Sequence, residues 1–159
     1  MYHFTDGGLR NVWLANGYVE HNTPYGKGVS FHDLEGLIKA ICAAIVNKPG
    51  KLTGAEFRYL RCALGLSQKS LGHMMGYSEQ ALAKWEKTGK IPKSNDFHLR
   101  CVYMSHRLGD QKISTMIESI KLIDRIANTR IIVSEHRKKW KSTFEVDEIE
   151  QDEQTLEAA

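Results

Sequence analysis

The sequence predicts a mainly α fold: a five-helix central domain, a small N-terminal strand-plus-helix unit before it, and an acidic flexible C-terminal tail after it. Three observations lead there. Apolar residues recur at helical spacing over most of the stretch from Leu34 to Ile126, in segments opened by Asp, Thr or Ser and closed by Gly. Alternating apolar residues with turn dipeptides are confined to residues 1–31. Charge is unevenly spread. A net +3 hides +10 over residues 51–141 and −7 over residues 142–159, which hold seven carboxylates and no Lys or Arg.

Length and composition bound the rest. At 159 residues, 42% apolar and 26% charged, the chain is expected to be a soluble protein with one core, or one domain with appendages. No run approaches the roughly 20 apolar residues that span a bilayer. Met1–Asp6 lacks the basic-then-apolar pattern of a signal peptide. A cytoplasmic location without membrane contact is the expectation. Cys42, Cys62 and Cys101 are odd in number, far apart and set among apolar neighbours, which predicts buried, reduced thiols. Neither they nor the scattered histidines offer the clustered ligands zinc takes, so no metal and no cofactor is expected. No enzyme is expected either. There is no nucleophile elbow, and Gly7-Gly8 and Gly26-Lys27-Gly28 have neither the spacing nor the context of a nucleotide-binding loop.

Residues 1–50 read as a small α/β appendage. Val12, Leu14 and Tyr18 flank the turn signal Asn16-Gly17, and Pro24–Gly28 is a second turn before a strand at Val29–Phe31. Asp33 caps a helix whose apolar face is Leu34, Leu37, Ile38, Ile41, Ile45 and Val46, and Pro49-Gly50 closes it. So few elements bury little alone. The unit is expected to pack on the central domain or on a second copy of itself.

Residues 51–130 form the central domain. Thr53 and Glu56 spell a capping box, followed by the stripe Phe57, Leu60, Ala63, Leu64 and a stop at Gly65. Ser67 caps the next helix, which turns Leu71 and Met74 or Met75 inward and ends where Gly76 takes the left-handed conformation. Ser78 caps the third, which buries Leu82 and Trp85 and leaves Glu79, Gln80, Ala83 and Lys84 outside. Two short helices joined by a glycine turn, the second with a polar leading edge, make the helix-turn-helix arrangement that the DNA major groove accepts. Ser94 is the predicted cap of a fourth helix, with Phe97, Cys101, Val102, Met104 and Leu108 inward and Gly109 as its stop. A fifth covers residues 111–128. Its stripe of Ile113, Met116, Ile117, Ile120, Leu122, Ile123 and Ile126 is wide for the edge of a small bundle, which predicts a homodimer through this helix. Arg130–Val133 reads equally as a short strand or a helical extension. Residues 131–159 are then a basic segment, Arg137–Lys141 around Trp140, and a tail from Ser142 expected to be disordered.

Ser67, Gln68, Leu71, Gly72, Gly76, Ser78, Leu82, Trp85, Glu86 and Gly89 resemble the helix-turn-helix family of the phage Cro and repressor type, the XRE family, over residues 52–92 and more loosely to 108. Gly72 stands where the family usually has Ala, and Thr88 is one extra residue before Gly89. The segment is similar to that of antitoxin-like transcriptional regulators of toxin–antitoxin and mobile-element loci. The resemblance implies that Gln68 contacts the DNA backbone and braces the first side chains of the next helix. It also implies that an arginine of the preceding helix, Arg58 or Arg61, pairs with Glu86 to orient the reading helix.

The residue chemistry fits that frame. Gln80 can pair bidentately with adenine, Lys84 can donate to guanine, Glu79 can accept from cytosine, and Ser78 can cap the helix or touch a phosphate. These four are the candidate base readers. Ala81 or Ala83 could meet a thymine methyl. Gln68, Lys69, Lys87, Lys90 and Lys93 are the candidate phosphate contacts, four cations and one helix-terminal amide in a short span. Trp85, at helical spacing from Leu82, belongs to the core rather than to a stacking platform. The function these residues predict is a sequence-specific repressor of transcription that binds double-stranded DNA as a homodimer on an inverted repeat. The alternative is an antitoxin that neutralises a partner toxin through residues 1–50 or the acidic tail and autoregulates its operon.

Overall fold

The two ends of the described chain meet in one sheet. The structure, a computed structural model, describes residues 1–108 and 126–148. Strands β1 (Tyr2–Phe4) and β2 (Val12–Leu14) come from the N-terminal segment, while β5 (Ile126–His136) and β6 (Lys139–Glu148) form a C-terminal hairpin. Their order is β1-β2-β5-β6. β1 runs antiparallel to β2, β2 parallel to β5 with Val12 opposite Ile131, and β5 antiparallel to β6 with Ile131 opposite Phe144. Strands β3 (Tyr18–Thr23) and β4 (Gly26–Phe31) form a separate two-stranded hairpin. Helix α1 (Leu34–Asn47) starts where Asp33 Oδ1 accepts from the Gly36 amide at 2.9 Å, and it packs across β5 and β6. Its buried Leu37, Ile41 and Ile45 share one core with Val12, Leu14, Ile131 and Val133.

This sheet corrects several expectations. The N-terminal strands are not part of an appendage formed by residues 1–50 alone, because β1 and β2 form one sheet with β5 and β6. The tail is not disordered from Ser142, because residues 142–148 are the greater part of β6. Phe144 and Val146 are spaced by two, the period of a strand, and Phe144 covers buried Ile131 instead of building a core of its own. The carboxylates between them, at Glu145 and Asp147, are exposed and so do not oppose folding. Residues 126–128, predicted as the end of a helix, lie in β5, as do Arg130–Val133. The rest of the predicted fifth helix, Gly109 and the tail beyond Glu148 lie outside the described residues. The β5–β6 turn is Arg137-Lys138, both with positive φ (50° and 59°), where a tight hairpin ordinarily carries Asn-Gly. Trp140 does not serve the basic segment as an exposed ring. It is half-buried, with its ring against Gly17. Beside it Asn16, in the predicted turn between β2 and β3, also acts as a bridge: its side-chain amide donates to Glu135 O at 2.9 Å and its side-chain oxygen accepts from the Glu135 amide.

The helical part follows its caps. Helix α2 (Gly54–Ala63) has the Thr53–Glu56 capping box, α3 (Gln68–Met75) opens at Ser67, and α4 (Glu79–Thr88) opens at Ser78. Gly76 (φ 75°) and Gly89 (φ 71°) end the last two in the left-handed conformation. Helix α5 (Lys93–Tyr103) differs from expectation. It follows Pro92 without a side-chain cap from Ser94, and it buries Asn95, Asp96, Leu99, Arg100 and Tyr103 while Phe97 stays exposed. Cys101 and Val102 are half-buried, and Met104 is buried as predicted.

Arg100 is the reason for the rotated face. It is 0% exposed, with Nε donating to Asp96 at 2.7 Å. Nη1 donates to Val46 O at 3.2 Å and Lys48 O at 2.9 Å, and Nη2 to Gly50 O at 2.7 Å. The first two are carbonyls that the end of α1 leaves without helical partners, and the third lies in the loop that follows. Asp96 in turn accepts from the Leu52 amide at 2.6 Å. Apolar periodicity scores such a pair as surface. A second joint lies at Glu56, also 0% exposed, which accepts from Asn11 Nδ2 and Lys48 Nζ at 2.7 Å and from the Thr53 amide at 2.8 Å. The same Asn11 nitrogen reaches Thr129 O of β5 at 2.7 Å, so one carboxylate ties the sheet to the helices. The thiols divide three ways, against the expectation that all are buried. Cys42 is buried, Cys101 is half-buried with its pKa raised by burial, and Cys62 is exposed.

Candidate nucleic-acid interface

Helices α3 and α4 cross at a backbone contact. Ser67 Oγ accepts from the Ser70 amide at 3.0 Å and Ser78 Oγ from the Ala81 amide at 3.2 Å, which fixes both starts. Between them, the Tyr77 amide donates to Gly72 O at 2.8 Å. A Cβ at Gly72 would lie 2.6 Å from Tyr77 O and 3.4 Å from Leu82 Cδ1. Glycine therefore stands in place of the more usual alanine because the turn leaves no room for a methyl group. Leu71 and Leu82 are buried at the crossing, and Met75 rather than Met74 turns inward. Trp85 is core, edge-on to Tyr77 (centroids 4.7 Å apart) and to Phe57 (6.1 Å).

The orientation of α4 is held at its far end by Glu86. Arg61 of α2 donates through Nε to Oε1 at 2.6 Å and through Nη2 to Oε2 at 3.1 Å, and Gln68 Nε2 of α3 donates to Oε2 at 2.8 Å. Arg61 Nη1 also holds Leu66 O, in the loop between α2 and α3, at 2.7 Å. Both ion-pair side chains are about nine-tenths buried, and the hydrogen bond to Glu86 raises the Arg61 pKa further. Of the two arginines proposed for this pair, the structure uses Arg61; Arg58 is exposed. Gln68 braces α4 through Glu86, at the last turn rather than the first. Its nitrogen keeps a second N–H for an acceptor such as a phosphate oxygen. At the same end, Gly54 lies so close that a Cβ there would meet Glu86 O at 2.1 Å.

With its inner face packed and its end clamped, α4 turns the other candidates to the surface. Ser78, Glu79, Gln80, Lys84 and Lys87 are exposed, while Ala81 and Ala83 are half-buried. Lys69 is exposed in the first turn of α3, and Lys90 and Lys93 are exposed where α4 hands over to α5. The N–H groups of Gln68 and Lys69, in the first turn of α3, have no helical acceptor and suit an anion. Sequence reasoning missed Arg10, Lys51 and Arg130, which with Lys87 line a cleft of about 1020 Å³ between the sheet and the end of α4. They lie too far apart in the chain for spacing to associate them. Among the described residues no helix is long and apolar enough to cross a membrane.

Comparison with known families agrees with this geometry. Residues 57–95, from the first half of α2 to the start of α5, match the family described as helix-turn-helix. No curated protein and no solved structure matches the chain. Residues 57–95 are thus a helix-turn-helix domain of the Cro and repressor type, the kind of module that binds DNA in transcription regulation.

Proposed function

We propose that the protein is a sequence-specific repressor of transcription, binding an inverted-repeat operator as a homodimer, without catalysis of its own. The observation that carries this reading is the α4 leading edge: Glu79, Gln80 and Lys84 exposed together on a helix whose direction Arg61, Gln68 and Glu86 fix. A pre-oriented helix loses little freedom on entering the major groove, and its amide, amine and carboxylate cover the acceptor and donor patterns there. Lys69, Lys87, Lys90, Lys93 and Gln68 then hold the flanking phosphates and set register. Selection of bound sequences from a random duplex pool tests this. The expected product is two half-sites about one turn apart, roughly 34 Å. Recovery of no common sequence, or of a single unrepeated half-site, would contradict it.

An antitoxin role would place a toxin on the β3–β4 hairpin, where Val19 and the tip residue Tyr25 are exposed. A second small chain co-purifying with the protein, and lost when Tyr25 is replaced by Ser, would favour that alternative.

A further inference from the structure

Strand β6 is a ten-residue edge of the four-stranded sheet, and among the described residues its backbone pairs with β5 alone. Natural edges of this length are usually protected by charged side chains, a proline or a bulge, each of which repels or misfits another strand. β6 has no proline, and its charges change sign halfway: Lys139 and Lys141 precede Thr143, and Glu145 and Asp147 follow it. All five residues are exposed, and their spacing by two puts them on one face. Among the described residues they are poorly matched. Across β5, Lys139 faces His136, Lys141 faces Ser134 and Asp147 faces Asn128, and only Glu145 meets an opposite charge, Arg130 at 3.3 Å.

We infer that β6 pairs antiparallel with β6 of a second copy, about a two-fold axis at Thr143, joining two sheets into one of eight strands. That register sets Lys141 against Glu145 and Lys139 against Asp147, twice each by symmetry, with Thr143 opposite its own copy. On the other face it sets Trp140 against Val146, which is 41% exposed in the single chain. An antiparallel edge of uniform charge would repel its copy, whereas this one attracts it in a single register. The inference rests on the edge alone. It goes beyond the repressor reading by naming the surface that would make the dimer, and its test is run without DNA: failure of the edge contact leaves base reading by α4 standing, and failure of DNA binding leaves the edge contact standing.

Sedimentation velocity on the full chain measures it, with circular dichroism as the check of folding. The unaltered chain is expected to dimerise, and more weakly at 1 M salt, where charges act over only about 3 Å, than at 0.1 M, where they act over about 10 Å. Lys141→Glu and Glu145→Lys should each weaken self-association by about tenfold or more, since each turns two attractive cross-strand pairs repulsive. An equimolar mixture of the two variants should recover a heterodimer, because each chain then meets the opposite charge on the other. Lys141→Glu leaves the Arg130 pair intact, so it tests the register even if Glu145→Lys disturbs the hairpin. A monomeric unaltered chain, a Lys141→Glu variant that dimerises as well as the parent, or two folded variants whose mixture stays monomeric would each overturn the proposal.

Discussion

Arg61 on α2 and Glu86 on α4 meet through two hydrogen bonds, at 2.6 and 3.1 Å, and Gln68 on α3 donates to the same carboxylate at 2.8 Å. One side chain thus joins the three helices that decide how α4 is presented. The pair is about nine-tenths buried, so it differs in kind from the exposed Lys39–Glu35 pair on α1, which contributes little.

Removing that carboxylate should cost both stability and binding. Glu86→Ala leaves the Arg61 guanidinium without its partner, and the loss is expected to be about 1 to 3 kcal/mol, the cost of a mostly buried group left unpaired. Urea unfolding measures it, with Lys39→Ala as the control expected to stay within about 0.5 kcal/mol. Equal effects of the two substitutions would mean the clamp is not structural.

Gly54 and Gly72 are packing glycines. Gly54→Ala drives a methyl against Glu86 O, which only a backbone shift relieves, at about 1 to 3 kcal/mol. Gly72→Ala restores the residue the family usually carries and gains about 1 kcal/mol of helix propensity. The contact with Tyr77 O should outweigh that gain, leaving the variant less stable in thermal unfolding. A more stable Gly72→Ala would show that the α3–α4 turn yields easily.

Arg100 serves as a buried connector. Arg100→Met removes donors from three carbonyls and strands Asp96, and it should destabilise by about 3 to 5 kcal/mol. The double variant Arg100→Met with Asp96→Asn should recover part of that loss. Chemical denaturation of the single and double variants gives the comparison, and an equal loss in both would assign the cost to packing alone.

What the sequence made legible were local signals. The Thr53–Glu56 box, the Ser67 and Ser78 caps, and Gly76 each act within four residues, and each appears where its chemistry requires. The clamp was half legible: a resemblance supplied two arginines, and only the packed helices chose Arg61. The sheet was not legible, because β2 finds its partner β5 more than a hundred residues later and the Arg137-Lys138 turn lacks Asn or Gly. The face of α5 was misread because periodicity counts charges as outward, whereas Arg100 is inward to satisfy the end of α1.

Cutting the chain after Lys141 tests the corrected C-terminus. It removes the β6 residues that oppose Ile131, Ile132 and Val133. A clear fall in melting temperature is expected, larger than the few degrees that about 1 kcal/mol gives. An unchanged melting temperature would restore the reading of a dispensable tail.

The claim that α4 reads bases meets its most direct test in paired binding titrations, on the selected operator and on random duplex. Gln80→Ala and Lys84→Ala should each lose about 1 to 3 kcal/mol on the operator and far less on random duplex, because a base contact counts only where the base is right. Lys90→Ala should weaken both nearly equally and lower the slope of log affinity against log salt by about one. A specificity ratio left unchanged by both Gln80→Ala and Lys84→Ala would contradict the assignment.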